Sequence, residues 1–534
     1  MLSSRKQYIF VLSVAWAVLT VGAAGASVNK DGAGAKSGKA LSSAEFFAAP
    51  IVRKFKIELT SAALEELKRD VRAPVRATVT VDGQVFTEVG VHLKGRGSFK
   101  PLQEKPSFTV KFDQFVPGQH YSGFSTLWLN NSSQDPTCMN ELIGRGIYRD
   151  AGLPTPRVTH VRVQFNDRDL GLYVLIEPVN KRFLRQYFEN TGGNLYKPYR
   201  QDIDQPLPLE GGSDTSRSDL KELVEAAREK DLARRWERLN KVLDVDGFLD
   251  FALAEMLSAH TDSYVMGRNN YFLFQDLGTG RFRFITHDLD GALRNSGCGL
   301  TPPTNYILVN ALMQIPEARW RYRERIPQLC ATCFNVEVLT NRVQAALSRL
   351  KADARNPEET WQFENCAENM RNRIVERARN ISKQLAQEPQ QLLADPRATA
   401  ASPAFWKSRQ ESGRPQMDRV EDSGKTALHL NADQGGGAAS WQARVYLPPG
   451  RYVFQGRMRT TRVAALPKEP ASGAALRAAG LRSAILLNGD AQPTTVEQVF
   501  EVTNGDAAVE LACELRAGRG EAWFDLESLK VMRR

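Results

Sequence analysis

Residues 258–290 read SAHTDSYVMGRNNYFLFQDLGTGRFRFITHDLD. Apolar residues at 271–274 and 282–285, separated by Asp276, Gly278 and Gly280, predict a β-hairpin. It interrupts a region, 216–390, whose periodicity is otherwise helical. The polar residues bracket it. Asp262 follows an apolar helix at 249–258, Asn270 opens the hairpin eight positions later, and Asp288 and Asp290 close it. Asp and Asn are ordinary turn formers, and each taken alone needs no other account. As a set they gather hard oxygen ligands, which Mg²⁺ takes together with substrate phosphates. One acid can then hold metal while another accepts a hydroxyl proton.

Upstream, the pattern alternates between periods. Strands are predicted at 55–59, 75–81, 85–93 and 107–112, a capped helix at 60–67, and Asp82-Gly83 as a hairpin turn. A helix follows near 139–150, then strands at 159–165 and 171–177. Gly95-Arg96-Gly97 follows a strand, and glycine-freed amides can approach a phosphate. A plain tight turn explains the same residues. Downstream, 388–418 is polar and proline-containing, and is expected to be a linker. Runs at 441–447, 451–458 and 483–487, divided by Pro-Pro-Gly and Asn-Gly-Asp turns, predict a β-sandwich. Its Trp441, Tyr452 and Trp523 are either sugar-stacking or core aromatics.

The chain has 534 residues, 42% of them hydrophobic and 25% charged, which excludes wholesale disorder and a membrane-embedded bundle. A net charge of +10 is mild at this length, and without a long basic run or a recognition motif no nucleic-acid partner is expected. Arg5 and Lys6, an apolar run at 8–21 and the small residues 22–26 make a signal peptide, cleaved after Ala26. No transmembrane span is expected after cleavage, and the product would be secreted, periplasmic or on the cell surface. Export permits disulfides. The clustered Cys298, Cys330, Cys333 and Cys366 suggest one or two bridges, since the CxxC at 330–333 lacks a second ligand pair.

Several segments resemble the CotH family, the spore-coat-protein-H type of atypical protein kinase. KPSFTVKF (105–112) resembles its KxSyrlkF strand, and TPRVTHVRVQFNDRDLGLYVLIEPVN (155–180) resembles its paired strands with the GlYxlxE ending. HTDSYVMGRNNYFLF (260–274) resembles its acid followed by NNYYLY, and RFRFITHDLD (281–290) its iPWDlD block. The likeness runs from about 50 to 385. It departs at Thr286-His287, where the family has Pro-Trp, and at 94–99, where the family has an RGNSS-like loop.

The resemblance implies an α+β fold: a two-lobed atypical-kinase-like domain at 51–387, after a signal at 1–26 and a linker at 27–50. A linker at 388–418 leads to an all-β, jelly-roll-like and carbohydrate-binding-like sandwich at 419–534. It also implies Mg²⁺-dependent transfer of the ATP γ-phosphoryl to Ser or Thr hydroxyls of exported proteins. Lys111 would contact nucleotide phosphates, with Lys94 and Lys105 as rivals. Glu141 would pair with that lysine, Glu177 would line the adenine site, and Gly95 and Gly97 would approach the phosphates. Asp262 would be the catalytic base, while Asn270, Asp288 and Asp290 would hold metal. An extracellular or cell-wall glycan is the partner implied for the sandwich. The rival reading is a non-catalytic scaffold with a kinase-like fold.

Overall fold

The computed structural model describes residues 43–387, 389–393, 397–422, 424–466, 469, 472–503 and 507–534. The expected signal peptide and the part of the expected linker at 27–42 lie outside the described residues. The last part of that linker is helix α1 (Ser43–Ala48), and it is anchored. Its buried Phe46 stands edge-on to Tyr121 with centroids 5.7 Å apart.

Seven strands close into a barrel: β1 (Arg53–Glu58), β2 (Val75–Val81), β3 (Gln84–Lys94), β4 (Ser107–Lys111), β5 (Thr126–Asn130), β6 (Val158–Phe165) and β7 (Arg168–Ile176), in the order β1-β2-β3-β4-β5-β7-β6. Alternation drives it, since Phe55, Ile57, Val75, Ala77, Val79 and Val81 all point inward and are buried. Between β1 and β2 lies α2 (Ser61–Arg69), capped by the Thr60 hydroxyl, which accepts from the N–H of Ala63. Asp82 and Gly83 turn β2 into β3 with φ of 49° and 87°, as a two-residue hairpin requires. The Asp82 carboxylate pairs with Arg53 at 2.6 Å. The ring closes by parallel pairing of β1 with β6, Phe55 opposite Val163.

The remainder of the first 387 residues is mainly helical. Helix α3 (Asn140–Asp150) lies between β5 and β6, and α4 (Lys181–Leu184) follows β7. Next come β8 (Leu195–Tyr196), β9 (Leu209–Gly211), α5 (Ser218–Arg228), α6 (Leu232–Val242), α7 (Val245–Leu257) and the single turn α8 (Tyr264–Gly267). The expected hairpin is β10 (Tyr271–Asp276) and β11 (Arg281–Thr286), joined to the short strands in the order β11-β10-β8-β9. Then α9 (Ile307–Met313), α10 (Pro316–Cys333), α11 (Val336–Ala352) and α12 (Pro357–Gln387) complete a second apolar core, distinct from the barrel's. Helix α7 is apolar on nearly every side because it runs through the middle of that core.

The expected linker at 388–418 is instead part of the sandwich. It supplies β12 (Gln390–Gln391), β13 (Ala400–Ala401), β14 (Lys407–Gly413) and the start of β15 (Gln416–Asp422). Then follow β16 (Lys425–Asn431), β17 (Gly437–Tyr446), β18 (Gly450–Ala464), β19 (Gly473–Ala478), β20 (Leu481–Arg482), β21 (Gly489–Val502), β22 (Val509–Ala517), β23 (Arg519–Asp525) and β24 (Lys530–Arg533). One sheet runs β12-β17-β22-β19-β20 with β14 on β17, the other β13-β24-β18-β23-β16-β15 with β21 on β18. Leu511, Cys513, Phe454 and Phe524 fill the space between them. The run at 483–487 is not a strand and holds only the bridge from Leu487 to Ala474. Trp441 and Tyr452 are core residues. Trp523 is covered on its two faces by the stacked His429 ring at 4.7 Å and the Arg459 guanidinium at 3.7 Å.

The expected disulfides are not formed, and all six cysteines are free. Cys330 and Cys333 are one turn apart on α10, and Cys513 is locked in the sandwich core.

Candidate active site

Between the barrel and the helical region lies a cleft of ≈ 1060 Å³, lined by residues of both. The barrel contributes Lys94, Gly95, Gly97 and Lys111, and the far wall contributes Lys197, Asp262, Asn270, His287, Asp288 and Asp290. The bracketing residues of the hairpin therefore do converge.

Asp262 is held by two amides. Asn269 and Asn270 each donate from Nδ2 to its Oδ2 at 3.0 Å, and Asn270 also donates to its carbonyl at 2.9 Å. Both acceptors fix which end of the Asn270 amide faces Asp262, so its oxygen is the end left for another partner. Asn270 has φ of 53°, a left-handed conformation that asparagine tolerates better than most residues. The turn before it is shaped by buried Glu255, which accepts from the N–H groups of Tyr264 and Val265 at 3.1 and 2.9 Å.

The second strand of the hairpin delivers His287 and Asp288. His287 packs edge-on against Phe272 at 5.0 Å and Trp128 at 5.8 Å, a ring between rings. Asp288 shares a hydrogen bond with Glu141 of α3. Burial pushes Asp288 up, but that bond and the neighbouring His287 and Lys94 outweigh burial and hold it at about 2. Burial, and then the charge of Asp288, push Asp290 up to about 8. Asp290 also fixes α3 through its carbonyl, which accepts from Asn140 Nδ2 at 2.5 Å.

Among the lysines, Lys94 faces the acids. It is half-buried, hydrogen-bonded to Asn130, and lowered to about 8 by desolvation against the opposing pull of Asp288. Lys111 lines the same cleft one strand away and makes no hydrogen bond to these acids. Lys105 is elsewhere, donating to the Leu172 carbonyl at 2.7 Å. Gly95, with φ of 98° and Phe99 N 3.2 Å from where a Cβ would sit, requires glycine, whereas a Cβ at Gly97 would meet nothing closer than 3.8 Å.

Two expected roles are not supported. Glu141 makes its ion pair with Arg145, one turn along α3, at 2.7 Å and not with a lysine. Arg145 also donates to the His287 carbonyl, so this pair buttresses the strand that carries Asp288. Glu177 does not line the cleft. Arg157 binds both of its oxygens, at 2.8 and 2.6 Å, and Gln186 donates to it at 3.0 Å. The chain just after it, 178–181, is what lines the cleft. Asn269, Trp128 and Lys197 were not anticipated. Asn269 stands beside Asn270 in the sequence, and the i,i+4 spacing of Glu141 and Arg145 was a readable signal.

The donor set suits Mg²⁺, being carboxylates and an amide oxygen with no thiolate or imidazole required. Among the described residues no group of three or more His, Cys, Asp or Glu could hold a metal unaided. The crowding of Asp290 by Asp288 marks a place where a cation would relieve repulsion.

Residues 93–393 match the family described as CotH kinase protein. The chain belongs to the CotH kinase protein family. The inner spore coat protein H of Bacillus subtilis (strain 168) is 21% identical over 312 residues, 54% of this chain and 84% of that protein. Invasin CotH2 of Rhizopus delemar is 23% identical over 263 residues, 42% of this chain and 44% of that protein. The chain thus spans under half the length of that invasin. The Helicobacter pylori proinflammatory kinase CtkA aligns over 58% of this chain and 92% of its own, at 10% identity and a TM-score of 0.24. The CotH match covers the barrel from Leu93 onward and every cleft residue named above, and ends between β12 and β13 of the sandwich.

Proposed function

We propose that this protein is an exported, two-lobed atypical kinase that transfers the γ-phosphoryl group of ATP to Ser or Thr hydroxyls of exported proteins, with Mg²⁺. The carrying observation is the convergence of Lys94, the Asn270-supported Asp262, and Asp288 on one cleft. Phosphoryl transfer asks the protein for positioning and charge neutralisation more than for covalent chemistry. Lys94, with Lys111 beside it, supplies positive charge for the phosphates. Asn270, Asp288 and Asp290 would hold the metal, which when bound neutralises phosphate charge. Asp262, fixed by two amides, orients the acceptor hydroxyl and takes its proton late. Membership of the CotH kinase protein family supports the same reading.

Export rests on the apolar run at 8–21, and the spore-coat and invasin relatives are in keeping with it. Among the described residues no helix is long and apolar enough to cross a membrane. A glycan partner for the sandwich would need groups other than Trp441, Tyr452 and Trp523, whose ring faces are taken.

The test is a phosphotransfer assay with labelled ATP, Mg²⁺ and a generic protein acceptor, comparing the wild type with Asp288→Ala. Transfer that the variant lacks supports the kinase. A wild type that binds no nucleotide leaves the scaffold reading.

A further inference from the structure

The cleft holds a half-buried cation that the scheme above does not use. Lys197 follows β8, and its backbone N–H donates to the Pro208 carbonyl at 2.9 Å, which fixes the direction of the chain there. Its ammonium lies 4.7 Å from the centroid of Trp128 and 5.5 Å from that of Phe272. The ammonium of Lys94 lies 5.1 Å from the same Trp128 ring. The two rings are nearly parallel, at 8° and 6.5 Å, and form a rigid apolar floor. One lysine comes from the end of barrel strand β3, the other from the far wall. Both line the cleft; Asp288 acts on Lys94, and Glu210 and then Asp288 act on Lys197.

Lys94 and Lys197 are half-buried on the cleft wall. Among the described residues neither Lys94 nor Lys197 has a carboxylate within ion-pair distance, and Lys197 has no hydrogen-bond acceptor for its ammonium. An aromatic face compensates a partly desolvated ammonium by only about 0.5–2 kcal/mol, so each ammonium keeps donors to offer to an anion in the cleft. Two such cations on one ring also repel each other. That arrangement is stable when an anion with several oxygens lies between them.

We propose that Lys94 and Lys197 form a two-lysine clamp for a polyphosphate chain, with Trp128 as its floor. Resting on the kinase reading, this makes Lys197 the residue by which the cleft prefers a triphosphate to a monophosphate. The ammonium groups come from opposite walls and lie 5.1 and 4.7 Å from one ring centroid, so a chain of phosphates laid across Trp128 meets both. A long, strongly hydrated point charge on each side suits phosphate oxygens of varied geometry.

The clamp is tested without metal, by calorimetric titration of the full chain with inorganic tripolyphosphate, orthophosphate, ATP and AMP. Wild type is compared with Lys197→Met and Lys197→Arg. Loss of one charge-assisted hydrogen bond corresponds to roughly 10- to 100-fold in Kd. Lys197→Met should lose that for tripolyphosphate and ATP and change less than about twofold for AMP, a smaller loss than one such bond. Lys197→Arg, which keeps the charge, should recover most of the binding. A second measurement needs no substitution: saturating tripolyphosphate should protect Lys197 from a small amine-acylating reagent, read by peptide mass mapping. Unchanged tripolyphosphate affinity in folded Lys197→Met, equal acylation with and without tripolyphosphate, or a wild type that binds no tripolyphosphate overturns the clamp. Phosphotransfer that survives Lys197→Met with unchanged ATP affinity would sink the clamp and leave the kinase standing. Lysine-dependent tripolyphosphate binding without phosphotransfer would do the reverse.

Discussion

The backbone N–H of Leu289 donates to Oε1 of Glu141 at 3.1 Å, across 148 residues of chain. The other oxygen of Glu141 takes Arg145, and its carboxyl also meets Asp288. Glu141 thus holds the loop that presents Asp288. Arg145 is fully buried, so removing its partner leaves an uncompensated charge in the core. Glu141→Ala should cost about 3–5 kcal/mol of stability. Glu141→Gln, which can still accept a hydrogen bond, should cost less. Urea unfolding of both variants measures the difference, and equal midpoints for wild type and Glu141→Ala would refute the buttress.

Asp262 and Asp288 lie in the same cleft with different neighbours. Asp262 is bound by two amides, whereas Asp288 stands near Lys94. Asp262→Ala should cut turnover by roughly 10²–10⁴-fold, the range of general acid–base contributions, with Mg·ATP affinity little changed. Asp288→Ala should weaken Mg·ATP binding as well, and Asp288→Asn should keep the fold while abolishing transfer. Single-turnover rates beside calorimetric titrations separate the roles; parallel loss of both quantities in Asp262→Ala would contradict them.

The apolar core of the sandwich is separate from the two cores of the first 387 residues, and it already includes Leu392 and Leu393. A chain ended after Gln387 should therefore melt cooperatively and keep nucleotide binding. A chain ended near 418 should fare worse, because it keeps the orphaned strands β12 to β14. Differential scanning calorimetry of the two truncations decides it. A broad, non-cooperative melt of the shorter chain would show that the sandwich is part of the kinase fold.

Two groups lose their contribution to stability on acidification, in overlapping windows. His160 is held neutral, its Nε2 hydrogen-bonded to the Cys138 carbonyl at 2.7 Å and its Nδ1 to Arg349 at 3.0 Å. Burial, then the charge of Arg349, lower it to about 3. The unfolded chain takes that proton near ~6.5, so stability is complete above that pH and falls on acidification, by about 1.4 kcal/mol per pH unit. Glu359 is held down to about 2, because its bonds with Arg162 and Arg355 outweigh burial. Its contribution is present above the unfolded value near ~4.3 and is lost as pH falls toward 2. Asp290 and Glu255, both held up near 8, gain stability over the same range, so the reading is a difference between proteins and not the wild-type curve alone. The stability of wild type relative to His160→Gln should shrink steadily from pH 7 to pH 4, read as the gap between their melting temperatures; a gap that does not change with pH would count against the His160 assignment.

Most of the barrel was legible because its strands alternate, and Asp82-Gly83 announced its hairpin. Strand β5 was hidden, since Leu127, Trp128 and Leu129 are buried in succession and give no alternation. The segment at 407–413 misled for the opposite reason: every residue of β14 is exposed, so a polar edge strand reads as linker. In the cleft, the acids and Asn270 could be read from their placement around the hairpin. The lysine could not, because Lys94 and Lys111 share one barrel and only the packing shows which faces Asp288. Glu177 looked available, but the end of the β6–β7 pair returns Arg157 to it, with the Glu177 N–H on the Arg157 carbonyl at 2.9 Å.

The parallel seam between β1 and β6 leaves the barrel without a free rim of backbone amides and carbonyls. An incoming polypeptide therefore cannot be captured there by adding itself as another strand. A polypeptide that reaches the cleft meets, on the barrel side, side chains and the loop after β3, and no strand edge. The same seam shields these strands from templating the association of neighbouring copies.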